Sequence, residues 1–315
     1  MVSLSAWLRG LLLAAVLALV AGGSVACGSA SGSSSSSSST SAAPRFQVVA
    51  AENFWGSIAQ QLAGSKATVR SIIVNPDTDP HDYQASAGDA RTMAGAKLAI
   101  VNGIGYDEWA SKLIAANPVS GRTVLDVGDL LGLKEGDNPH QWYDPASVQK
   151  VINAITATYD KLDPADRSYF TAQKKHFETV SLKPYNQLRA QIRKRFAGVP
   201  VGYSESIFQP LGQSMGLKLL TPYSFAKAVA EGTEISAKDK QTVDNQAQHR
   251  LIKVWVYNSQ NATPDISRIN AICKQQHIPI ATVTETLSPA TLNFEQWQVA
   301  ELRGLIKALH QATGR

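Results

Sequence analysis

From Arg45 onward the apolar positions fall into short runs that alternate between two periods. Phe46-Gln-Val-Val-Ala-Ala51, Val69-Arg-Ser-Ile-Ile-Val74, Leu98-Ala-Ile-Val101 and Thr123-Val-Leu-Asp-Val127 read as strands. Between them, Trp55 to Ala63 (closed by Gly64), Asp89 to Ala94 and Glu108 to Ala116 carry helical spacing. A second alternating block begins near Val199. It comprises strand Val199 to Gly202, helix Phe208 to Met215, strand Leu217 to Leu220 and a helix opened by a capping box at Ser236-Ala-Lys-Asp239. Strand Val254 to Tyr257, helix Asp265 to Gln275, strand Ile280 to Val283 and a last helix from Phe294 to about Leu309 follow. Strands alternating with helices imply parallel strands joined by crossover helices. The pattern therefore predicts an α/β fold of two lobes, each with a mostly parallel sheet flanked by helices.

Between the blocks the strand signal disappears. Ala146 to Leu162 reads as one helix, and Ala165 to Phe196 can run as a second, about 48 Å long at 1.5 Å per residue. Pro184 lies inside that run and should bend or break it. A long rigid helix joining two lobes is a stiff connection rather than a free hinge.

The N-terminus says where the chain is sent. A single Arg9 precedes the apolar run Leu11 to Ala21, which is too short for a spanning helix of about 20 residues but suits a signal-peptide core. Ser24-Val-Ala-Cys27 resembles a bacterial lipobox, with Ser24 where Leu is usual, and marks Cys27 for lipidation. Gly28 to Pro44 is nearly all Ser, Gly, Ala and Thr, with unbroken Ser from Ser33 to Ser39, the composition of a flexible tether. The expected organisation is a lipoprotein signal peptide over 1–26, a tether over 27–44, an N-terminal lobe over 45–162, a connecting helix over 163–197 and a C-terminal lobe over 198–315.

Composition narrows the function classes. A length of 315 residues suits two domains, and 44% hydrophobic residues can bury real cores. The net charge of +5 rests on only 17% charged residues, with the densest basic run from Arg189 to Arg195. That argues against a nucleic-acid partner. Two cysteines, Cys27 and Cys273, exclude a disulfide scaffold or a Cys-rich zinc fold. With Cys27 acylated, Cys273 is left as a small buried apolar residue.

Of the six histidines, His176, His249, His277 and His310 have bland surroundings, with His176 and His310 on polar helix faces. His81 and His140 share a context: Asp79-Pro-His-Asp-Tyr83 and Asn138-Pro-His-Gln-Trp142. Each follows a strand and its loop, where open α/β sheets place ligands, and each imidazole starts from a backbone stiffened by proline. Glu205 and Glu285 follow strands of the second lobe in the same way. Two neutral imidazoles and two carboxylates supply nitrogen and oxygen donors with a charge of −2, matching a divalent transition metal.

These residues resemble the metal-specific solute-binding lipoproteins of bacterial ABC importers, the cluster A-I group that handles zinc and manganese. Asn138-Pro-His-Gln-Trp-Tyr-Asp-Pro145 is similar to that family's Asn-Pro-His-x-Trp-x-Asp-Pro segment. Asp79 to Tyr83, Ser204-Glu205 and Val283-Thr-Glu-Thr-Leu287 resemble its other ligand loops. The resemblance implies metal ligands His81, His140, Glu205 and Glu285, with Ser288 as an alternative at the fourth position. Departures are Gln84-Ala-Ser86 after the first loop and a segment Leu130 to Asn138 with no histidine. Glu at the third position resembles the manganese-type arrangement, while oxygen ligands also suit zinc.

The expected protein captures Zn2+ or Mn2+ between its lobes and delivers it to an ABC permease. It is expected to be a monomer without enzymatic activity, lipid-anchored on the extracytoplasmic face of the cell membrane. Two alternatives share the metal: a secreted zinc-dependent hydrolase and a surface adhesin with a structural ion. The chain has no His-Glu-x-x-His or Gly-x-Ser-x-Gly motif, and Asn102-Gly-Ile-Gly105 reads as a strand-to-helix turn.

Overall fold

A computed structural model describes residues 45–315. The signal segment, Cys27 and the Ser-rich tether lie outside the described residues. The first block folds as β1 (Phe46–Glu52), α1 (Asn53–Ala63), β2 (Ala67–Ile73), α2 (Ala87–Ala94) and β3 (Leu98–Val101). It continues through α3 (Glu108–Ala116), β4 (Thr123–Asp126), α4 (Val127–Leu131) and α5 (Pro145–Leu162). Then come α6 (Arg167–His176) and α7 (Lys183–Phe196). The second block holds β5 (Pro200–Tyr203), α8 (Gln209–Ser214), β6 (Lys218–Leu219), α9 (Tyr223–Ala230) and α10 (Ala237–Gln248). It ends with β7 (Val254–Asn258), α11 (Pro264–Gln275), β8 (Ile280–Val283) and α12 (Phe294–Thr313).

Each block makes one four-stranded sheet, in the orders β2-β1-β3-β4 and β6-β5-β7-β8. Every pairing is parallel. The expected α/β fold of two parallel-sheet lobes is the observed one. In both sheets the strand order reverses beside the first strand, so the crevice for a ligand lies at the ends of β1 and β3 in one lobe and of β5 and β7 in the other.

Local chemistry moves several boundaries. α2 begins two residues earlier than its periodicity suggests, because Ser86 and Asp89 form a reciprocal capping box ahead of it. The box expected at Ser236 is only half made: Ser236 caps the Asp239 amide, while the Asp239 carboxylate accepts from Ser224 at 2.8 Å instead. α4 and α9 were not anticipated, although α9 buries Phe225, Ala226 and Val229 at helical spacing.

The expected long helix is built in two pieces. The Leu182 N–H donates to the Phe177 carbonyl at 2.9 Å, an i→i+5 bond that widens the turn over Phe177–Ser181. Pro184 occupies the first turn of α7, where its missing N–H costs nothing, so the break falls just ahead of it.

One apolar cluster runs through both lobes, from Val48, Leu98 and Trp142 to Val201, Phe208 and Val256. α12 belongs to the second block yet crosses to the first: the Phe294 N–H donates to Ser57 Oγ at 2.8 Å, and Gln61 Nε2 to Glu295 Oε2 at 2.8 Å. Opening the lobes widely would expose this shared core at about 25 cal/mol per Å² of apolar surface. Wide separation of the lobes is therefore costly. Cys273 is a free, buried cysteine in a second cluster with Trp255 and Ile269. Among the described residues no helix is long and apolar enough to cross a membrane.

Candidate metal centre

His81 and His140 are presented by the same backbone device. The Asp79 carboxylate accepts from the His81 N–H at 2.9 Å, and Asn138 Oδ1 accepts from the His140 N–H at 3.1 Å. In each Asx-Pro-His turn the first side chain closes over the proline and fixes the histidine backbone. His140 then opens a single 3-10 turn, Gln141–Tyr143, whose Trp142 stacks on Phe54 with ring centroids 3.8 Å apart. That aromatic floor leaves His140 fully buried.

The His140 tautomer follows from its neighbours. Asn138 Nδ2 donates to the Ser206 carbonyl at 2.9 Å and to Gln209 Oε1 at 3.2 Å, which turns Oδ1 toward the imidazole. His140 Nδ1 lies 2.9 Å from that oxygen and donates to it. In the neutral ring this leaves the Nε2 lone pair free, as a metal-ligating imidazole requires. It is buried without a hydrogen-bond partner and faces Glu285 Oε1 at 3.4 Å.

Glu205 sits just beyond β5 and is 1% exposed. Asn258, the last residue of β7, donates its Nδ2 to Glu205 Oε2 at 3.0 Å and to Glu285 Oε1 at 3.3 Å. One amide thus separates two carboxylates, while Glu205 Oε1 is buried with no partner. From the other lobe Tyr106 donates its hydroxyl to Glu285 Oε2 at 2.9 Å. Tyr106 reaches that position because the 102–107 loop folds tightly, with the Asn102 and Gly103 amides both donating to Asp107. Gly103, at φ 69°, passes so close to the Asp126 carboxylate that any side chain there would collide.

These surroundings split the two carboxyls. Burial, and then the Glu285 charge, push Glu205 well above the usual carboxylate range. Burial pushes Glu285 the same way, but the charge and Nε2–H that the His140 ring offers when protonated, with help from His81 and Tyr106, outweigh it and hold Glu285 low. His81 is exposed at the mouth of the cleft, yet enough protein surrounds its ring that desolvation lowers it against the pull of Glu285. Its ring stands edge-on to Tyr106 at 4.6 Å. Two small cavities meet at His81. One, of about 130 Å³, is also lined by His140, Ser206, Tyr223 and Lys227, and the other, of about 100 Å³, by Asp79, Asn258, Gln260 and Glu285.

The structure thus brings His140 and Glu285 together, joins Glu205 to Glu285 through the Asn258 amide, and leaves His81 exposed at the entrance. Among the described residues, no three His, Cys, Asp or Glu side chains already stand in metal-coordinating geometry. Glu285 is the residue of its loop that reaches His140. His176, His249 and His277 are exposed, whereas His310 is half-buried with its ring edge-on to Phe196 at 5.3 Å, not on a polar face.

The family model described as zinc-uptake complex component A, periplasmic (ZnuA), matches residues 48–308. The chain belongs to that family.

Among curated relatives of this ZnuA-family chain is the manganese-binding lipoprotein MntA of Halalkalibacterium halodurans. It is 25% identical over 254 residues, covering 77% of this chain and 72% of that protein. The iron-binding protein YfeA of Yersinia pestis is 27% identical over 187 residues, 56% of this chain and 58% of that protein. In fold the chain is similar to a Mn-bound periplasmic metal-binding protein (S38A mutant) from Candidatus Liberibacter asiaticus. The TM-score is 0.72 at 20% identity, over 84% of this chain and all of that one. The periplasmic zinc-binding protein TroA from Treponema pallidum aligns with a TM-score of 0.68 at 17% identity, over 85% and 99% of the two chains.

Sequence reasoning missed Tyr106, Asn258 and Gln260 in this family member. A signal existed for the last two. Asn258-Ser-Gln260 follows the apolar strand Val254 to Tyr257, at the same sheet edge as Glu205 and Glu285. Tyr106 carried no such signal, since its reach across the cleft depends on the Asp107-centred turn.

Proposed function

We propose that this chain captures a divalent transition metal, Zn2+ or Mn2+, between its lobes and hands it to the permease of an ABC uptake system. The supporting observation is a pair of buried donors, His140 Nε2 and Glu205 Oε1, that lack hydrogen-bond partners and border the Glu285 carboxylate. Leaving such atoms unmatched costs about 1–3 kcal/mol each, so they are kept for a ligand that satisfies both, and a dication does. In this reading His140, Glu205 and Glu285 form the inner wall of the site and His81 closes it from the entrance. Two carboxylates and two neutral rings offset the charge of the ion. No bond is made or broken in the cargo, and the protein acts as a carrier rather than an enzyme.

The mature protein starts at Cys27, acylated at the extracytoplasmic face of the membrane, and works as a monomer on its tether, residues 27–44. The periplasmic description of the family and the lipoprotein name of one relative support the extracytoplasmic, lipid-anchored part of this reading. The deciding experiment strips the protein of metal with a chelator and titrates Zn2+ and Mn2+ by calorimetry. One ion per chain for at least one metal supports the reading. No heat and no bound metal for either would overturn it.

A further inference from the structure

Two residues beyond the end of β7, Gln260 uses both ends of its amide between two loops. Its Oε1 accepts from the Glu285 N–H at 2.6 Å and the Thr286 N–H at 3.1 Å. Its Nε2 donates to the Pro76 carbonyl at 2.6 Å, with Thr286 Oγ1 as a second acceptor at 3.2 Å. Pro76 lies in the loop that leaves β2 and carries His81, while Glu285 and Thr286 lie in the loop that leaves β8. One side chain therefore joins the backbone of the His81 loop to the backbone of the Glu285 loop, across the lobes. The Gln260 backbone is itself pinned, its N–H donating to Asn258 Oδ1 at 3.0 Å.

The His81 loop has little else to hold it there. Among the described residues the other hydrogen bonds of residues 75–81 are internal, and farther along the Tyr83 hydroxyl donates to Asp89 of the same lobe at 2.9 Å. The Asp77 N–H donates to Asn75 Oδ1, the Thr78 N–H to the Asn75 carbonyl, and the His81 N–H to Asp79 Oδ1. These shape the loop without fastening it to the other lobe. Because the shared apolar core limits lobe movement, a loop tied by one amide is the part of the cleft free to open.

We propose that Gln260 is the latch that holds the His81 loop against the second lobe and so sets how fast a bound metal leaves. This rests on the reading that the cleft takes up a metal. Gln260 touches no metal in this account; it is a positioning residue acting on backbone.

Two variants separate its functions. Gln260→Glu keeps the length and the acceptor for the Glu285 and Thr286 amides but turns a carboxylate on the Pro76 carbonyl. Gln260→Met keeps the length and loses every hydrogen bond. Hydrogen exchange is read over residues 75–83 of the metal-free full chain, and dissociation of Mn2+ and Zn2+ by stopped-flow mixing with excess chelator. Both variants should exchange faster in that segment, and Gln260→Met also at the Glu285 and Thr286 amides, with the rest of the chain unchanged. Both should release metal about tenfold faster, the effect of losing one net hydrogen bond of about 1.4 kcal/mol, with uptake rates unchanged. A parent that binds metal, with variants matching it in loop exchange and release, would overturn the latch. Uniformly faster exchange throughout the chain would also overturn it, by showing a general loss of stability. If the parent binds neither metal, the carrier reading fails, and exchange faster in residues 75–83 or unchanged there still decides the latch.

Discussion

Glu205→Gln should push the stability of this protein in opposite directions with and without metal. In the metal-free protein Glu205 is 1% exposed, its Oε1 has no partner and its Oε2 shares one Asn258 amide with Glu285. Gln is isosteric, carries no charge and can donate toward Glu285, so it removes a buried, poorly satisfied acid. The gain should be about 1–3 kcal/mol, the usual cost of leaving a buried group of this kind unmatched. In a body of this size each kcal/mol is worth roughly 2–4 °C in melting temperature.

The pH dependence has a defined sign. Burial and the Glu285 charge raise the folded-state pKa of Glu205, so the folded chain holds a proton that the unfolded chain gives up above the ordinary carboxylate range. Parent stability should therefore fall as pH rises from about 4.5 through the raised folded-state pKa, and the advantage of Glu205→Gln should widen. With metal the order reverses. Loss of a supporting partner typically weakens a metal site 10–100-fold, so losing a donor should weaken it about 100-fold or more. At a metal concentration 100 times the parent dissociation constant, stabilisation drops from about 2.7 to about 0.4 kcal/mol. Differential scanning calorimetry of both proteins, with chelator and with Mn2+ or Zn2+, reads all four states. A variant no more stable than the parent without metal, or equally stabilised by metal, would refute the reasoning.

His140→Ala should lower metal affinity by about 100-fold or more between about pH 5 and 8, while the exposed-residue control His176→Ala leaves it unchanged; equal titrations would remove the Asn138-Pro-His140 loop from the site. Burial lifts the Glu301 carboxyl to about 8 even though Tyr143 and Thr284 hydrogen-bond to it. The folded chain thus keeps a proton that the unfolded chain loses above about 4.5, and stability drains away as pH climbs from there to about 8. Glu301→Gln should flatten that slope in urea denaturation, and parallel curves for the two proteins would contradict it. Cys27→Ser should move the protein from the membrane to the soluble fraction of its host, since no acyl chain could then be attached; membrane retention would show a different anchor.

The order of apolar runs was enough to place two parallel sheets, because strands followed by crossover helices have few ways to pack. Leu98 to Val101 and Ile280 to Val283 appear as strands at the bounds their sequences suggest. The Asx-Pro-His pairs were visible for a related reason: their stiffness is local, made by a proline and the side chain just before it. Position along a strand also marked Glu205 and Glu285, since parallel strands deliver their C-terminal residues to one edge. What the linear pattern could not carry was everything decided by a partner distant in sequence. The burial of Glu205, the bridging amide of Asn258, the span of Gln260 from Pro76 to Glu285 and the reach of Tyr106 all depend on lobe packing and on the placement of β7 between β5 and β8. A carboxylate in a loop has no preferred charge state until the chain has folded around it. The sequence could name donors of the right chemistry, but only the tertiary structure could set their desolvation, their hydrogen bonds and their distances, because those are properties of neighbours brought together from across the chain.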